Sequence, residues 1–302
     1  MLRRMLGRHE AVCEMPEWRV PVDPGGLVDF FVGERYAPTP LAFDKRLKDL
    51  KRLLQAVGPK PQSQLLYRRL LHASGLARFP FSRNWDIAYG QVDVSRACPS
   101  YMTLVQQLID ELSAFHYRAS WTGSAFAEEN SLGFPSPEVE NGFQRLLGGF
   151  FRSVVKEALA NQGKDFYLEK NTWYPLVFDH FHELVPEAKL VVIRREPKDV
   201  ICSLIHQRWA PSDIEQATKY YLQLENRWLQ VRDKVPQGSF IEVVYEHLVR
   251  EPDRVLDEIS RFSKLPLHQE PFQLSEKSIG RWKVDLSREQ IKLVDQLLEG
   301  HA

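Results

Sequence analysis

Cysteine is scarce in this chain: its 302 residues hold three, Cys13, Cys98 and Cys202. They are too few and too scattered for a disulfide framework or a tetrahedral zinc site. Cys202, set in a helical pattern, reads as a small core residue. An excess of one charge is also missing. The 40 Lys and Arg equal the 40 Asp and Glu, so a nucleic-acid partner over the whole surface is not expected, while a local basic pocket is still allowed. No apolar run approaches the ~20 residues of a membrane span. No stretch has the layout of a signal peptide, and a cytoplasmic location without a membrane partner is expected. Repeats and low-complexity tracts are absent. So is a glycine-rich phosphate loop with its lysine and a magnesium-binding carboxylate, which a nucleoside kinase needs.

What is present centres on Lys189–Trp209. Leu190, Val191, Val192 and Ile193 form an unbroken, mostly β-branched run, the pattern of a strand buried on both faces of a parallel sheet. Arg194 and Arg195 end it, and Pro197 takes the position favoured at a helix start. Val200, Ile201, Leu204 and Ile205 then recur at helical spacing. Arg195 therefore sits where a parallel strand stops and a helix begins. Open α/β sheets bind ligands there, and free helix N–H groups favour an anion. An arginine at that point is a fork for phosphate; the alternative is a surface arginine at a strand end.

Arg195-Glu196-Pro197-Lys198-Asp199, with Ser203 following, resembles the 3′-phosphate-binding motif of sulfotransferases. These enzymes use 3′-phosphoadenosine 5′-phosphosulfate as donor. The resemblance implies that Arg195 and Ser203 grip the 3′-phosphate. Tyr245-Glu246-His247-Leu248-Val249 is similar to a segment whose tyrosine lies beside the adenosine diphosphate moiety. Ser278-Ile279-Gly280-Arg281-Trp282-Lys283 is similar to the segment that folds over the cofactor, which assigns Arg281 to the 3′-phosphate and leaves Ser275 a weaker candidate; Trp282 reads as a packing anchor. Lys170, at the end of an expected strand Phe166–Leu168, resembles the lysine that stabilises the transferring sulfuryl group. The proline of that signature is displaced by Trp173 and Tyr174. Glu17, after an expected strand Ala11–Cys13, matches the catalytic base of the tyrosylprotein branch and of many bacterial relatives. Its alternative is a solvated loop glutamate. Arg19 is placed to support Glu17 or to contact substrate.

The helical run Met1–His9 resembles the helix that follows the family's phosphosulfate loop. That loop and its strand are expected to lie before residue 1, since no other stretch supplies them; Thr122-Gly123-Ser124 lacks the preceding strand. A misassigned start, a truncation and genuine loss all fit.

Between these motifs, the spacing predicts helices over Phe43–Val57, Gln64–Leu71, Tyr101–Phe115 and Ser136–Gln162, the last capped by Ser136 with Pro137. Gly148-Gly149 either weakens that helix or permits close packing. Arg78–Trp85 and Trp121–Pro135 read as irregular. Lys45, Lys48, Lys51, Arg52, Arg68 and Arg69 read as a solvated face or as a lining for an acidic substrate. Ser212 with Glu215, and Ser287 with Gln290, form capping boxes. A helix follows Ser212 to about Lys234 with an aromatic stripe read as core, and another covers Pro252–Phe262.

The resemblance implies one sulfotransferase-like domain over 1–302: an α/β fold with a central parallel sheet flanked by helices, of the P-loop nucleoside triphosphate hydrolase type. A variable, mostly helical acceptor-side region covers about 25–135. The implied reaction carries a sulfuryl group from 3′-phosphoadenosine 5′-phosphosulfate to a hydroxyl or amine, leaves adenosine 3′,5′-bisphosphate and needs no metal. A non-catalytic nucleotide-binding relative is the alternative. The acceptor and the oligomeric state are not readable.

Overall fold

The computed structural model describes residues 6–7, 9–60, 89, 92–118, 131–135, 142–266 and 275–300. The fold is mixed α/β, with helices around a small parallel sheet. The chain divides into two compact units, 1–173 with 180–186 and 174–179 with 187–302.

In the first unit, helices α1 (Leu27–Tyr36) and α2 (Pro40–Ala56) open the chain. Thr39 caps α2 by accepting the Ala42 N–H at 3.2 Å, and Pro40 stands at its first position. Helix α3 (Tyr101–Leu112) leads into β1 (Ser113–Tyr117), which pairs antiparallel with β2 (Leu132–Pro135); α4 (Phe143–Gln162) follows. Fully buried Trp18 organises the core. Its ring stacks on Phe151 at 5.4 Å and meets Tyr101 edge-on at 6.3 Å. A buried ion pair fixes the strand pair to α2. Asp44 binds Lys48 at 2.9 Å, its Oδ1 accepts the Gly133 N–H at 2.7 Å, and Lys48 donates to the Ser131 carbonyl at 2.8 Å. Lys48 is thus neither a solvated cation nor a substrate lining.

Gly148 lies where α4 approaches other backbone: a Cβ there would sit 2.1 Å from the Leu184 carbonyl oxygen, while one on Gly149 would meet nothing. Close packing is therefore the reason for Gly148. Helix α4 stops at Gly163, whose φ of 60° is the left-handed cap conformation suited to glycine. The expected strands near Ala11 and Phe166 shrink to one parallel bridge, Val12 with Phe166, held by the Cys13 N–H on the Phe166 carbonyl at 2.8 Å.

Helix α5 (Tyr174–Leu184) is divided between the units, 174–179 belonging to the second and 180–184 to the first, and the chain enters the second unit for good at Glu187. There β3 (Leu190–Arg194) pairs in parallel with β4 (Phe240–Val244), from Leu190 opposite Phe240 to Arg194 opposite Val244. A parallel pair needs a long crossover. Here the crossover carries α6 (Pro197–Leu204) and α7 (Ile214–Arg232). Helices α8 (Tyr245–Arg250), α9 (Pro252–Ser263), α10 (Trp282–Asp285) and α11 (Arg288–Glu299) complete the unit. Ile201, Ala217 and Val294 join α6, α7 and α11 in a fully buried cluster.

Several local expectations change. Strand β3 is not buried on both faces, since Ile193 is 41% exposed. Asp213, not Ser212, caps α7, accepting the Gln216 N–H at 2.9 Å. Helix α1, with Phe30 and Phe31 inside it, is absent from the helices that the spacing predicts. Helix α3 ends at Leu112, and β1 and β2 occupy residues read as helix end and irregular chain. The Ser287–Gln290 capping box is present. Gln64–Leu71, Arg68, Arg69, Arg78–Trp85, Thr122–Ser124, Ser136–Pro137 and most of Met1–His9 lie outside the described residues.

Candidate active site

The carboxyl ends of β3 and β4 supply the site's frame. The last residue of β3, Arg194, faces α7 and β4: it pairs with Glu225 and lies 3.7 Å from Glu242. Arg195 follows at the strand-to-helix junction, and Pro197 starts α6 as the sequence predicts. Glu246, at the start of α8, accepts the Glu196 N–H at 3.1 Å and so ties the two strand ends together.

The Arg195 guanidinium is fixed on three sides. Its Nη2 donates to the Ser278 carbonyl, the same atom lies 3.5 Å from Asp199 Oδ2, and the guanidinium carbon is 4.9 Å from the centre of the Tyr245 ring. The last contact has cation–π geometry. Arg195 Nε is buried and has no hydrogen-bond partner among the described residues. An unsatisfied charged donor is costly to bury, and an acceptor that reached this atom would relieve that cost.

Asp199 organises the segment above the arginine. Its side chain is fully buried. Oδ2 accepts the Gly280 N–H at 2.7 Å and Oδ1 the Trp282 N–H at 3.1 Å. Gly280 has φ of 71°, a turn that glycine adopts without strain. Lys198 lies 4.4 Å from the centre of the Trp282 ring and forms a 2.6 Å ion pair with Asp295. The segment 278–282 is thereby laid against Arg195 by backbone contacts.

The structure thus brings Arg195, Tyr245 and the backbone around Arg281 together. The Arg281 guanidinium itself turns to Asp285, with Nε at 3.1 Å from Oδ2. That hydrogen bond holds the Asp285 carboxyl below its ordinary range. Asp285 also accepts from Cys202 Sγ at 3.5 Å. Burial, followed by the hydrogen bond to Asp285, raises the Cys202 thiol. Ser203 is half-buried on α6, and its hydroxyl makes no hydrogen bond among the described residues. Ser275 accepts the Lys277 N–H at 3.3 Å as the cap of a short 3-10 turn.

Glu17 and Lys170 belong to the first unit. Glu17 is half-buried next to Trp18, and Lys170 is exposed. Arg19 lies 3.1 Å from Asp23, which also accepts from the Tyr89 hydroxyl. Asp199, Glu246 and Ser278 stand within the motifs read from the sequence, but that reading assigned no role to the two carboxylates or to the Ser278 carbonyl. Asp199 alone carried a local signal, an acid four residues after an arginine, the spacing of paired side chains on a helix face.

Among the described residues no group of His, Cys, Asp and Glu is arranged to hold a metal ion, and no helix is long and apolar enough to cross a membrane. The sequence profile of the Sulfotransferase family matches residues 1–269, and the chain belongs to that family. A sulfotransferase is accordingly its general function, and membership implies a nucleotide donor and an acceptor substrate. Among solved structures, the chain is similar to the sulfotransferase domain of the Synechococcus PCC 7002 olefin synthase, with 16% identity and a TM-score of 0.39 over 95% of this chain and 93% of that one. It is also similar to the sulfotransferase domain of the curacin biosynthetic pathway, with 15% identity and a TM-score of 0.39 over 68% and 76% of the two chains. Sulfotransferase STF9 of Mycobacterium avium matches at 14% identity and a TM-score of 0.33, over 69% of this chain and 57% of that one. No curated protein matches.

Proposed function

We propose that the chain transfers a sulfuryl group from 3′-phosphoadenosine 5′-phosphosulfate to a hydroxyl or amine of an acceptor, without a metal. The observation that carries this reading is the buried, unpartnered Nε of Arg195 at the β3–α6 junction. A 3′-phosphate oxygen would satisfy it, and the free Ser203 hydroxyl on the same helix supplies a second donor. Tyr245, already against the Arg195 guanidinium, flanks the nucleotide. Arg281 adds positive charge once its guanidinium leaves exposed Asp285. Family membership supports the donor class.

In the reaction the acceptor oxygen or nitrogen forms a bond to sulfur while the bond from sulfur to the phosphate oxygen breaks. Adenosine 3′,5′-bisphosphate departs with that electron pair. Lys170 offsets the negative charge on the sulfuryl oxygens, and Glu17 takes the acceptor proton. Catalysis of such transfers is mainly positioning and electrostatics. The reading includes kinship with bacterial-type members similar to the tyrosylprotein branch, and the position of Glu17 after Ala11–Cys13 supports it. The two compact units are read as parts of one sulfotransferase domain over 1–302, with the acceptor side in about 25–135. Three free, buried thiols fit a cytoplasmic location.

The test supplies sulfur-35-labelled donor with panels of alcohols, phenols and amines, comparing the chain with Glu17→Gln and Lys170→Ala. Transfer that falls at least ~10²-fold in each variant supports the assignment. Nucleotide binding with no transfer to any acceptor would identify the non-catalytic relative instead.

A further inference from the structure

The first unit holds a cavity of about 530 Å³ that none of the candidate active-site residues lines. That volume lies in the range of small-molecule sites, roughly 300–1,000 Å³. Phe31, Phe43, Phe134 and Phe143 line it, contributed by α1, α2, β2 and α4. The walls are braced: Phe134 stacks on Phe115 at 5.1 Å, and Phe43 and Phe143 lie 6.2 Å apart.

One carboxylate, Glu34, is built into this aromatic lining. Its side chain is 3% exposed, and one oxygen, Oε1, accepts from Arg46 Nη1 at 2.6 Å. Arg46 reaches it because Gly33 has no side chain; a Cβ there would lie 2.3 Å from Arg46 Nε. Oε2 accepts no hydrogen bond from the described residues. Burial raises the Glu34 carboxyl above its ordinary range, against the hydrogen bond from Arg46. At the mouth, exposed Arg35 is held by Glu183 through contacts of 2.9 and 2.6 Å. Each charge in the wall thus has its counter-charge, and the cavity has no surplus charge for an ionic ligand. Deep in the wall, the second oxygen of Glu34 is the carboxylate atom that a hydrogen-bond donor would satisfy.

We infer that this cavity binds a neutral, flat aromatic small molecule whose single hydroxyl or N–H donor is received by Glu34 Oε2. The inference does not rest on the sulfuryl-transfer reading and stands whether or not the bound molecule is an acceptor.

The probe is 2-naphthol, titrated by its fluorescence against the full chain, with 2-methoxynaphthalene and 2-naphthoate as comparisons. Saturable binding of 2-naphthol is expected. Loss of the donor in 2-methoxynaphthalene should weaken binding roughly tenfold or more, and the charge of 2-naphthoate should weaken it further. Removal of one aromatic wall in Phe134→Ala should cost roughly threefold or more. Because that variant alters packing, Gln144→Trp is the second: exposed Gln144 lines the cavity and donates to the Glu183 carbonyl at 2.7 Å, and an indole there should block entry while cooperative thermal unfolding and nucleotide affinity are retained. Absence of 2-naphthol binding, equal affinity for all three probes, or undiminished binding by Gln144→Trp would each overturn the inference.

Discussion

The buried carboxylate of Asp199 accepts the backbone N–H of Gly280 at 2.7 Å, joining positions 81 residues apart. The same carboxylate takes the Trp282 N–H and faces Arg195. Asp199→Ala strands these donors and should destabilise the chain by about 2–4 kcal/mol, read from urea unfolding. Asp199→Asn keeps one acceptor oxygen and should lose less. In the alanine variant trypsin should cut after Arg281 in the native state, faster than in the parent. Unchanged unfolding and cleavage would mean that the contacts of Asp199 do not hold the segment.

Gly148 and Gly149 are adjacent in one helix and should respond oppositely to alanine. Gly148→Ala drives a methyl against the Leu184 carbonyl and should cost about 1–3 kcal/mol. Gly149→Ala enters open space and should stabilise by roughly 0.5–1 kcal/mol, because alanine is the better helix former. Thermal or urea denaturation of the two variants decides it; effects of the same sign would contradict the packing described for α4.

The three thiols should be slow to alkylate in the native state. All are buried, and Cys98 is pushed up to about 12 by burial, with the nearby Glu157 carboxylate acting in the same direction. Cys13 and Cys202 are also raised, chiefly by burial. Only the thiolate reacts, so the native rate should climb with pH through pH 9 without levelling off. In urea all three should react at the rate of an ordinary thiol. Rapid labelling of the native protein near pH 7 would contradict the burial.

Much of the strand-to-helix junction at Arg195 was legible because it is local. One window, Leu190–Ile205, holds the strand, the arginine and the helix start, and the structure has all three at the positions read, although β3 is exposed at Ile193 rather than buried on both faces. Helix α1 was missed because Leu27, Val28, Phe30 and Phe31 wrap around it rather than forming one stripe. Strands β1 and β2 were missed because what holds them, Asp44 on Gly133 and Lys48 on Ser131, comes from far along the chain. The placing of Asp213 rather than Ser212 as a cap is a choice between two neighbouring cap formers, which pattern alone does not decide. Asp199 was visible as a residue, but its partners at Gly280 and Trp282 belong to tertiary structure.

The central claim is that Arg195 receives a 3′-phosphate. Calorimetry with adenosine 3′,5′-bisphosphate and with adenosine 5′-monophosphate, on the parent chain and on Arg195→Ala, tests it most directly. A charge-assisted contact at Arg195 should make the bisphosphate roughly 10–100-fold the tighter ligand of the parent. The arginine variant should lose most of that preference while its affinity for the monophosphate changes little. Equal affinity of the parent for both nucleotides, or a preference that survives Arg195→Ala, would contradict the account.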